Sequence, residues 1–587
     1  MSKNRENQPD LNPEQREAVA HGKGPLLISA GAGSGKTRTL TQRLIKLIES
    51  GVGPEKIVAI TFTNKAAQEI RNRVGARIGD IETWPFLGTF HSLGAKILRN
   101  EHPLVGRGRN FVIYDNDDSM RVIKKVLKDL DISDVRFPAP KVQKKVSFIK
   151  DELISRDELE EPINFIFDEY ERRLMAQNSF DFDDLIEKVV RLFRKNESTL
   201  DKYQNMFEYI LVDEFQDINT SQYALVRLLA QNHKNLNVVG DDNQSIYGFR
   251  GADFRNFLNF EKDWPEAKIV HLGENYRSTK NIVNAAAEVI KNNNLQRPKK
   301  LWTSNDPGEP VKVLAAQNAE DEAMQIISDI IANDDGKPTA IIYRTNAQSR
   351  ALEQALNLDS ISYDIFGGLK FYDRKEIKDI MAGLKYGFNP QDAISLDRLI
   401  KTFRKDEGRE LKEQLPEFAK TLTPIELIGF FMKTVNYESH LQSKSDNPEE
   451  RMDNIVELIN FASNFQTLQE FIEKVSLLDS AENTKSPERK SAVKLMTIHL
   501  SKGLEFDNVY LAGVNEGVLP HERSLLTKND LEEERRLMYV AMTRARHKLT
   551  LSFYGHASRF LYEIPPEFIN FSGPRLWTDD EDEIHLI

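Results

Sequence analysis

The sequence predicts an α/β protein with two α/β domains, each built on a parallel sheet and each interrupted by a mainly helical insertion. Three observations predict it. Apolar strand-like runs alternate with helical runs over residues 1–92, which is typical of a parallel sheet with helices on its faces. The same alternation returns in later blocks, and two long, charged, helix-like stretches separate these blocks. The length of 587 residues is sufficient for several domains.

The first domain is predicted at residues 1–104 and 180–275, with a helical insertion at 105–179. Its strands include PLLIS, KIVAITFT, FLGTFHS, YILVDE and NVVGDD. The insertion contains the charged helical runs SMRVIKKVLKDL and INFIFDEYERRLM and shows no clear strand pattern.

The second domain is predicted at residues 276–375 and 491–587, with a shorter helical insertion at 376–490. Its strands include VKVLAA, TAIIYRTN, YDIFGG, VKLMTIH, NVYLAGV and KLTLSFYG. The polar run SAENTKSPERKS predicts a linker, and the acidic tail WTDDEDEIHLI is expected to fray.

Composition limits the classes of function. There are 80 Lys and Arg against 91 Asp and Glu, a net charge of −11, so a nucleic-acid surface must be a local groove. Cysteine is absent, which excludes disulfides and thiolate-ligated metal centres. The N-terminus is polar, and no apolar run approaches the ~20 residues of a membrane span. We therefore expect a soluble, cytoplasmic protein with no membrane partner.

The run ISAGAGSGKTRTL, residues 28–40, lies between a predicted strand and a predicted helix. Gly31, Gly33 and Gly35 allow the backbone to approach a phosphate closely, and the following helix N-terminus favours an anion. Lys36 is then expected to reach the β- and γ-phosphates, and Thr37 to ligate Mg²⁺. The first glycine of the usual phosphate-loop pattern is replaced by Ala30. A plain flexible Gly/Ser turn is the alternative, and the flanking strand and helix favour the phosphate loop.

The strand YILVDE ends in two carboxylates, which a phosphate-loop ATPase requires. Asp213 is expected to hold Mg²⁺ and Glu214 to take a proton from the attacking water. Paired acids at a strand end also occur on solvated surfaces, and the phosphate loop favours the catalytic interpretation. In VGDDNQSIYGFRGAD, Gln244 is placed to contact the γ-phosphate, and Tyr247 and Phe249 offer flat faces to bases. Phe249 alternatively belongs to a turn beneath the core.

Twelve motifs occur in one order between residues 11 and 546. They are LNPEQREAV, AGAGSGKT, ITFTNKAAQEI, GTFHS, FDFDDLI, LVDEFQD, VVGDDNQSIYGFRGAD, ENYRS, YRTNAQSR, GGLKFYDRKEIKD, TIHLSKGLEFDNV and EEERRLMYVAMTRAR. In these motifs the chain resembles the UvrD/Rep/PcrA family of superfamily 1 DNA helicases. The resemblance implies two RecA-like P-loop domains with parallel sheets, and ATP as the nucleotide.

The resemblance also implies roles for individual residues around ATP. Gln15 is expected to read the adenine edge while Tyr276 stacks on the ring. Arg277 and Arg544, both assigned to the second domain, are expected to cross to the γ-phosphate as arginine fingers. Glu505 is expected near the nucleotide, and His499 to couple neighbouring motifs. The full expected nucleotide set is Gln15, Ala30, Gly31, Ala32, Gly33, Ser34, Gly35, Lys36, Thr37, Arg38, Tyr276, Arg277, Glu505 and Arg544.

Eight residues match positions that contact single-stranded DNA in the resembled family. They are Phe62, Asn64, Thr89, His91, Tyr247, Phe249, Arg250 and Arg350. Aromatic stacking suits movement along DNA, because every base offers a flat face whatever the sequence. Arg250 serves either DNA or the nucleotide, and the sequence does not decide between them.

The chain departs from the resembled family in three places. Phe249 stands where the family usually has Trp, which reduces stacking area. The R-G-I-G element used to touch duplex DNA is not recognisable in SLDRLIKTFRKDEGREL, and the whole second insertion is shorter than usual. We also expect no C-terminal module of the kind that some relatives use to hold RNA polymerase.

The resemblance implies an ATP-dependent 3'-to-5' translocase on single-stranded DNA and a DNA helicase, acting in repair or replication restart. The expected partners are single strands, junctions of single- and double-stranded DNA, and loading proteins of repair or replication, with the protein a monomer or weak dimer. Two alternatives stay open. One is a translocase that displaces proteins with little unwinding, and the other is a DNA-sensing ATPase subunit of a defence complex.

Overall fold

The computed structural model describes residues 11–79, 82–132, 136–481 and 492–572. The chain divides into two compact units, residues 1–277 with 293–304, and residues 278–292 with 305–587. The division differs from the predicted boundaries in two places, because residues 276–277 and 293–304 belong to the first unit. The assignment of the two insertions as separate domains stays a prediction. Residues 482–491 of the predicted linker and the acidic tail lie outside the described residues.

The first unit is built on a six-stranded sheet in which every neighbouring pair is parallel, in the order β3-β2-β6-β7-β1-β8. A separate parallel pair joins β4 and β5, so the predicted helical insertion contains one short strand, β4. The strands are β1 Leu26–Ala30, β2 Ile57–Thr61, β3 Phe86–Thr89, β4 Val112–Ile113, β5 Ser179–Phe180, β6 Tyr209–Val212, β7 Leu236–Gly240 and β8 Lys268–Leu272.

Helices cover both faces of this sheet, which explains why its central strands are apolar at nearly every position. Alternate residues of β1 point into two different cores: Leu27 packs with one, and Leu26 and Ile28 with the other. The helices of the first unit are α1 Pro13–Ala20, α2 Lys36–Glu49, α3 Asn64–Ile78, α4 Phe90–Asn100, α5 Asn116–Asp129, α6 Ala139–Asp151, α7 Ile163–Ala176, α8 Asp184–Lys195, α9 Glu197–Met206, α10 Thr220–Ala230, α11 Arg255–Leu258 and α12 Phe260–Asp263.

Helices α5, α6 and α7 form the first insertion and share an apolar core of their own. A buried ion cluster joins them to α8 of the central fold. The ammonium of Lys150 on α6 lies 2.6 Å from Asp181, 2.7 Å from Asp184 and 2.7 Å from Glu171. Burial opposes the charge of Lys150, but the three carboxylates raise its pKa well above the ordinary value. The insertion is therefore attached through charge as well as through apolar packing.

The second unit has a seven-stranded sheet, again parallel throughout, in the order β11-β12-β10-β13-β14-β9-β15. Its strands are β9 Val311–Ala316, β10 Thr339–Tyr343, β11 Tyr363–Ile365, β12 Val493–Thr497, β13 Phe506–Ala512, β14 Ala545–Tyr554 and β15 Ile569–Ser572. The helices around this sheet are α13 Lys280–Ile290, α14 Ala319–Ala332, α15 Ser349–Leu358, α23 Ile498–Ser501 and α24 Lys528–Met542.

The second insertion is a bundle with its own apolar core, as its helix-rich sequence predicts. Its helices are α16 Lys375–Phe388, α17 Ala393–Thr402, α18 Lys405–Phe418, α19 Pro424–Thr434, α20 Tyr437–Lys444, α21 Pro448–Ala462 and α22 Leu468–Ala481. In the part of the chain that the structure describes, no helix has both the length and the apolar character needed to cross a membrane.

The ion cluster of α6 leads to a stability prediction. Lys150→Met removes the central cation and leaves Asp181, Asp184 and Glu171 buried together, with Lys188 beside only Glu171 and Asp184 among them, so we expect a loss of about 3–5 kcal/mol in unfolding free energy. Thermal and denaturant unfolding of the purified variant measure this loss. Lys144→Met on the exposed side of the same helix is the control and should change stability by about 0.5 kcal/mol or less. Equal melting temperatures for both variants would contradict the prediction.

Candidate active site

The predicted phosphate loop follows the buried strand β1 and leads directly into α2, which begins at Lys36. Four neighbouring groups hold its backbone carbonyls. Ser34 Oγ donates to Gly31 O at 2.8 Å, and Asn275 Nδ2 donates to Ala32 O at 2.8 Å. Tyr276 N donates to Gly33 O at 3.0 Å, and Gln15 Nε2 donates to Ser34 O at 3.0 Å. The loop is thus fixed through its oxygens at the N-terminus of a helix, where backbone N–H groups favour an anion.

Glycine is required at two positions of this loop. Gly33 and Gly35 have φ values of 66° and 80°, in the left-handed region that favours glycine. Space is also short at Gly33, where a Cβ atom would lie 2.7 Å from Asn275 Nδ2 and 2.9 Å from Arg277 Cβ. Ala30, which replaces the first glycine of the usual phosphate-loop pattern, is the last residue of β1. It is fully buried, so a small side chain fits there.

Thr37 and Asp213, the predicted Mg²⁺ ligands, lie together. Thr37 Oγ1 donates to Asp213 Oδ2 at 2.9 Å, and Asp213 is 4% exposed. Burial, and then the charge of Glu214, raise the pKa of Asp213 to about 7. The described residues contain no group of three or more His, Cys, Asp or Glu side chains suited to a metal ion. A hydroxyl and one carboxylate, completed by phosphate oxygens, nevertheless match the way Mg²⁺ is held beside nucleotides, so these residues fit the ion.

Glu214, the predicted base, has a left-handed backbone with φ 51°, a conformation that costs a non-glycine residue about 1–3 kcal/mol. Gln216 Nε2 holds its carboxylate by donating to Glu214 Oε2 at 2.7 Å. The same Gln216 side chain accepts from Asp241 N at 2.9 Å through Oε1. The predicted γ-phosphate contact, Gln244, donates to Asp241 Oδ2 at 2.6 Å. Glu214 and Gln244 are therefore both linked to Asp241.

The predicted adenine and finger residues also lie beside the loop. Gln15 is buried, and its amide holds Ser34 O while its oxygen accepts from Asn12 N at 3.2 Å. Tyr276 is 43% exposed and donates to Glu274 Oε2 at 2.5 Å. Burial, followed by Glu274, raises the pKa of Tyr276 to about 12, while the charge of Arg38 acts in the opposite direction. Arg277, expected on the second domain, is grouped with the first unit and has its Cβ beside Gly33.

Three of the predicted DNA contacts form an aromatic row on the first unit. The rings of Phe62 and Tyr247 are stacked at 5.4 Å between centroids and 11° between planes. Tyr247 and Phe249 follow at 6.2 Å. Phe249 is 64% exposed, so the alternative of a ring beneath the core is wrong. Such a row presents flat apolar faces in the way that single-strand-binding grooves do.

The other four predicted contacts of the first unit differ in exposure. Asn64 is exposed at the start of α3, whereas Thr89 caps α4 by accepting from Ser92 N at 3.3 Å. His91 stacks on Phe182 at 3.9 Å between ring centroids. The side chain of Arg250 lies outside the described part of the structure.

Comparisons with known proteins agree with this geometry. The model of the UvrD/REP helicase N-terminal domain matches residues 11–265, and that of the UvrD-like helicase C-terminal domain matches residues 270–440 and 428–556. A protein of Bacillus subtilis strain 168, named ATP-dependent DNA helicase PcrA, is 38% identical over 95% of this chain and 86% of its own length. A protein of that name from Staphylococcus epidermidis is 39% identical over 96% of this chain and 87% of its own length.

This chain belongs to the UvrD/Rep/PcrA helicase family. The resemblance drawn from the twelve motifs is confirmed, and so is the fold class of two RecA-like α/β domains with parallel sheets.

Three further residues of the helicase motifs lie in the second unit. Arg544 is 1% exposed, and its guanidinium donates to Val540 O at 2.8 Å and to Leu504 O at 3.1 Å. Glu505 is exposed and forms an ion pair with Arg546. His499 lies in the short helix α23, whose N-terminus is capped by Thr497. Their predicted roles at the nucleotide stay predictions.

Arg350 is the predicted DNA contact that the structure buries. It is 2% exposed, and its guanidinium forms ion pairs with Glu320 and, at 2.7 Å, with Glu457. The same group lies over the ring of Phe461 at 4.3 Å. In this helicase the side chain therefore connects α15 to the insertion helix α21.

Sequence reasoning missed several residues of the helicase site. Phe182, 50% exposed beside His91, lies in the quoted motif FDFDDLI, and its aromatic character was the available signal. Gln216 lies in LVDEFQD and Asn275 in ENYRS, where neither was assigned a role. Lys299, in the polar run NNNLQRPKKLW, carried no motif signal at all.

The His91–Phe182 stack generates a pH prediction. Burial lowers the pKa of His91 to about 4, below its ordinary value of 6.5. Between these two pH values the unfolded chain binds more protons than the folded chain, so this residue makes stability fall as pH falls through that window. His91→Phe keeps a ring in the stack and removes the titration. We expect the melting temperature of the variant, relative to the wild type, to rise from pH 7.5 to pH 4.5 by differential scanning fluorimetry.

Phe182→Leu is the matched control for this experiment, since it alters the same stack without changing a titratable group. Because His91 still titrates in this variant, its melting-temperature difference from the wild type should vary less over the same pH range than that of His91→Phe. A His91→Phe difference that does not vary with pH would contradict a histidine held neutral at this position.

Proposed function

We propose that this protein is an ATP-dependent DNA helicase that moves 3'-to-5' along single-stranded DNA and separates duplexes ahead of it, in repair or replication restart. The proposal rests on one observation: the predicted ATP-binding and DNA-binding residues lie at the same edge of the first unit's sheet. The phosphate loop, Asp213 and Gln244 follow strands β1, β6 and β7, and the aromatic row begins at Phe62, directly after β2. The PcrA relatives are named as ATP-dependent DNA helicases, which supports ATP and DNA as the two substrates.

Lys36 and the N–H groups at the start of α2 would bind the β- and γ-phosphates of ATP. Thr37 and Asp213 would hold Mg²⁺, which supplies positive charge to the phosphate oxygens. Glu214 would accept a proton from the attacking water, and Gln244 would orient groups around the γ-phosphate. Arg277, whose Cβ atom lies beside Gly33 of the phosphate loop, would neutralise charge on the γ-phosphate in the transition state.

The aromatic row and the adjacent Asn64 would form the path for the single strand. A base stacks on a smaller area at Phe249 than at the tryptophan usual in the family. We therefore expect each stacked base to contribute less to the affinity for single-stranded DNA. Proposed substrates are single strands and their junctions with duplex DNA, and proposed partners are loading proteins of repair or replication.

A translocase that displaces proteins with little unwinding is the second candidate. One observation favours it: the segment where the family's duplex-contacting element is expected forms α17 and α18, with the charged run FRKDEGR at their junction. The experiment below distinguishes strand separation from ATP hydrolysis without separation.

The first test is strand separation with ATP on three substrates that differ only in a 3' tail, a 5' tail or blunt ends. We expect separation of the 3'-tailed duplex alone. Lys36→Ala, which removes the phosphate-binding ammonium, should abolish both separation and DNA-stimulated hydrolysis while the melting temperature stays close to that of the wild type. Retained hydrolysis in this variant would contradict the site. Hydrolysis without separation of any substrate by the wild type would favour the second candidate.

The second test concerns Arg277. Because an arginine finger acts mainly in the transition state, Arg277→Ala should lower kcat for ATP hydrolysis by at least about 100-fold and change the Kd for an ATP analogue by less than about 3-fold. Steady-state hydrolysis and equilibrium binding measure the two effects. Arg255→Ala is the control, since this exposed arginine of the same unit forms an ion pair with Asp253 on the surface, and its loss should leave both constants unchanged. Equal losses of binding and turnover in Arg277→Ala would argue against the finger role.

A further inference from the structure

Residues 293–304 return to the first unit after the chain has passed through α13 of the second. Backbone hydrogen bonds hold this returning segment against the residues that follow β8. Trp302 N donates to Gly273 O at 3.1 Å, and Asn275 N donates to Trp302 O at 2.7 Å. The segment also packs closely on the phosphate loop, where a Cβ atom added at Gly31 would lie 2.2 Å from Leu301 Cδ2. A segment of no recognised motif thus lines the back of the nucleotide site.

Lys299 is one of two buried cations of the returning segment, the other being Arg297. The side chain of Lys299 is 3% exposed, and its ammonium forms ion pairs with Asp241 and, at 2.6 Å, with Asp242. The third neighbour is Ala30 O at 3.5 Å, the carbonyl at the end of β1. Lys299 therefore lies between the end of β7 and the start of the phosphate loop.

The charges of this cluster depend on one another. Burial alone would lower the pKa of Lys299, but Asp241 and Asp242 raise it above its ordinary value. Burial alone would raise the pKa of Asp241, but the charges of Lys299 and Lys36 lower it. A buried ion pair seldom adds much net stability, because desolvation of the two charges offsets their attraction. Net stability therefore does not explain why Lys299, Asp241 and Asp242 are buried together, and we look for a role in the site.

Asp241 connects Lys299 to the two groups expected to act on the γ-phosphate and on water. Its Oδ2 accepts from Gln244 Nε2 at 2.6 Å, while Lys299 contacts the other oxygen, Oδ1. Its backbone N donates to Gln216, which in turn holds the carboxylate of Glu214. Each link is a hydrogen bond between buried or half-buried groups, so a displacement of Asp241 reaches both Gln244 and Glu214.

We propose that Lys299 is a positioning residue for ATP hydrolysis, which fixes the Asp241 carboxylate so that Gln244 and, through Gln216, Glu214 keep the orientation needed for turnover. The inference rests on the proposed ATPase function and extends it to a residue outside the recognised motifs. Lys299 does not itself touch the nucleotide in this role. Its removal leaves two adjacent buried carboxylates without their shared cation, and Asp241 then shifts or takes up a proton.

The test compares two buried basic residues of the same segment. Lys299→Met removes the ammonium and keeps most of the side-chain volume. Arg297→Met removes a guanidinium that donates to Phe257 O, Leu258 O and Glu261, none of which contacts Asp241. We expect both variants to melt at lower temperature than the wild type. Only Lys299→Met should lower kcat for DNA-stimulated hydrolysis, by about 10-fold or more, with the KM for ATP changed less than about 3-fold.

A double variant keeps the proposal falsifiable if Lys299→Met fails to fold. Lys299→Met with Asp242→Asn removes one cation and one carboxylate together, which should restore part of the lost stability. We expect kcat to stay low in this variant, because Asp241 still lacks the cation that fixes it. Recovery of kcat together with the melting temperature would overturn the positioning role.

The outcomes also separate this inference from the proposed function. A wild-type protein without DNA-stimulated hydrolysis would overturn the proposed function, and the inference with it, before any variant is examined. A wild type that hydrolyses ATP, with Lys299→Met and Arg297→Met equal in kcat, would overturn the inference alone.

Discussion

The arrangement of this protein's first unit depends on one constraint: every strand of a parallel sheet ends at the same edge. Strands β1, β6 and β7 carry the nucleotide-site residues at that edge, while β2 and β3 carry Phe62, Asn64, Thr89 and His91. The two halves are joined directly, because Asp213 N donates to Ile60 O at 2.9 Å, two residues before Phe62. ATP and the single strand would therefore bind to the same rigid sheet. A shift of Asp213 in the nucleotide site is then separated from Phe62 in the proposed DNA path by only a few residues.

The same edge concentrates conformational strain and buried polarity. The positive φ of Glu214 costs stability locally, and the buried ion pair of Asp241 with Lys299 adds little to offset it. They persist because the carbonyls of the loop are held by side chains and backbone of α1 and of the segment after β8, and because two apolar cores surround the sheet. The surrounding structure therefore holds the phosphate loop and Glu214 in the conformations that the proposed hydrolysis requires.

Much of the fold and part of the site were predictable from sequence, since the signals are local. A strand, a glycine-rich run and a helix in succession predict the phosphate loop, and β-strand alternation predicts the parallel sheets. Lys299 was not predictable, because its partners Asp241 and Asp242 lie 58 and 57 residues away, directly after strand β7, and only the fold brings them near. Thr89 was assigned to DNA by resemblance, and its capping of α4 depends on where the helix begins. Arg277 was assigned to the second domain, whereas the chain leaves the first unit only after Arg277 and returns to it once, at residues 293–304.

Arg350 shows how burial limits an assignment made by resemblance. Its charge is balanced by Glu457, whose pKa burial raises despite the arginine beside it. Moving the guanidinium to a DNA phosphate would leave Glu457 without its cation in a desolvated position, a change that costs about 3–5 kcal/mol when a buried pair is broken. A phosphate contact by Arg350 would have to offset that cost, whereas the pair as it stands connects the insertion helix α21 to α15. Arg350 is thus one of the links between the second insertion and the sheet domain, together with Arg374, which donates to Asn454 of α21 and to Ser349 of α15.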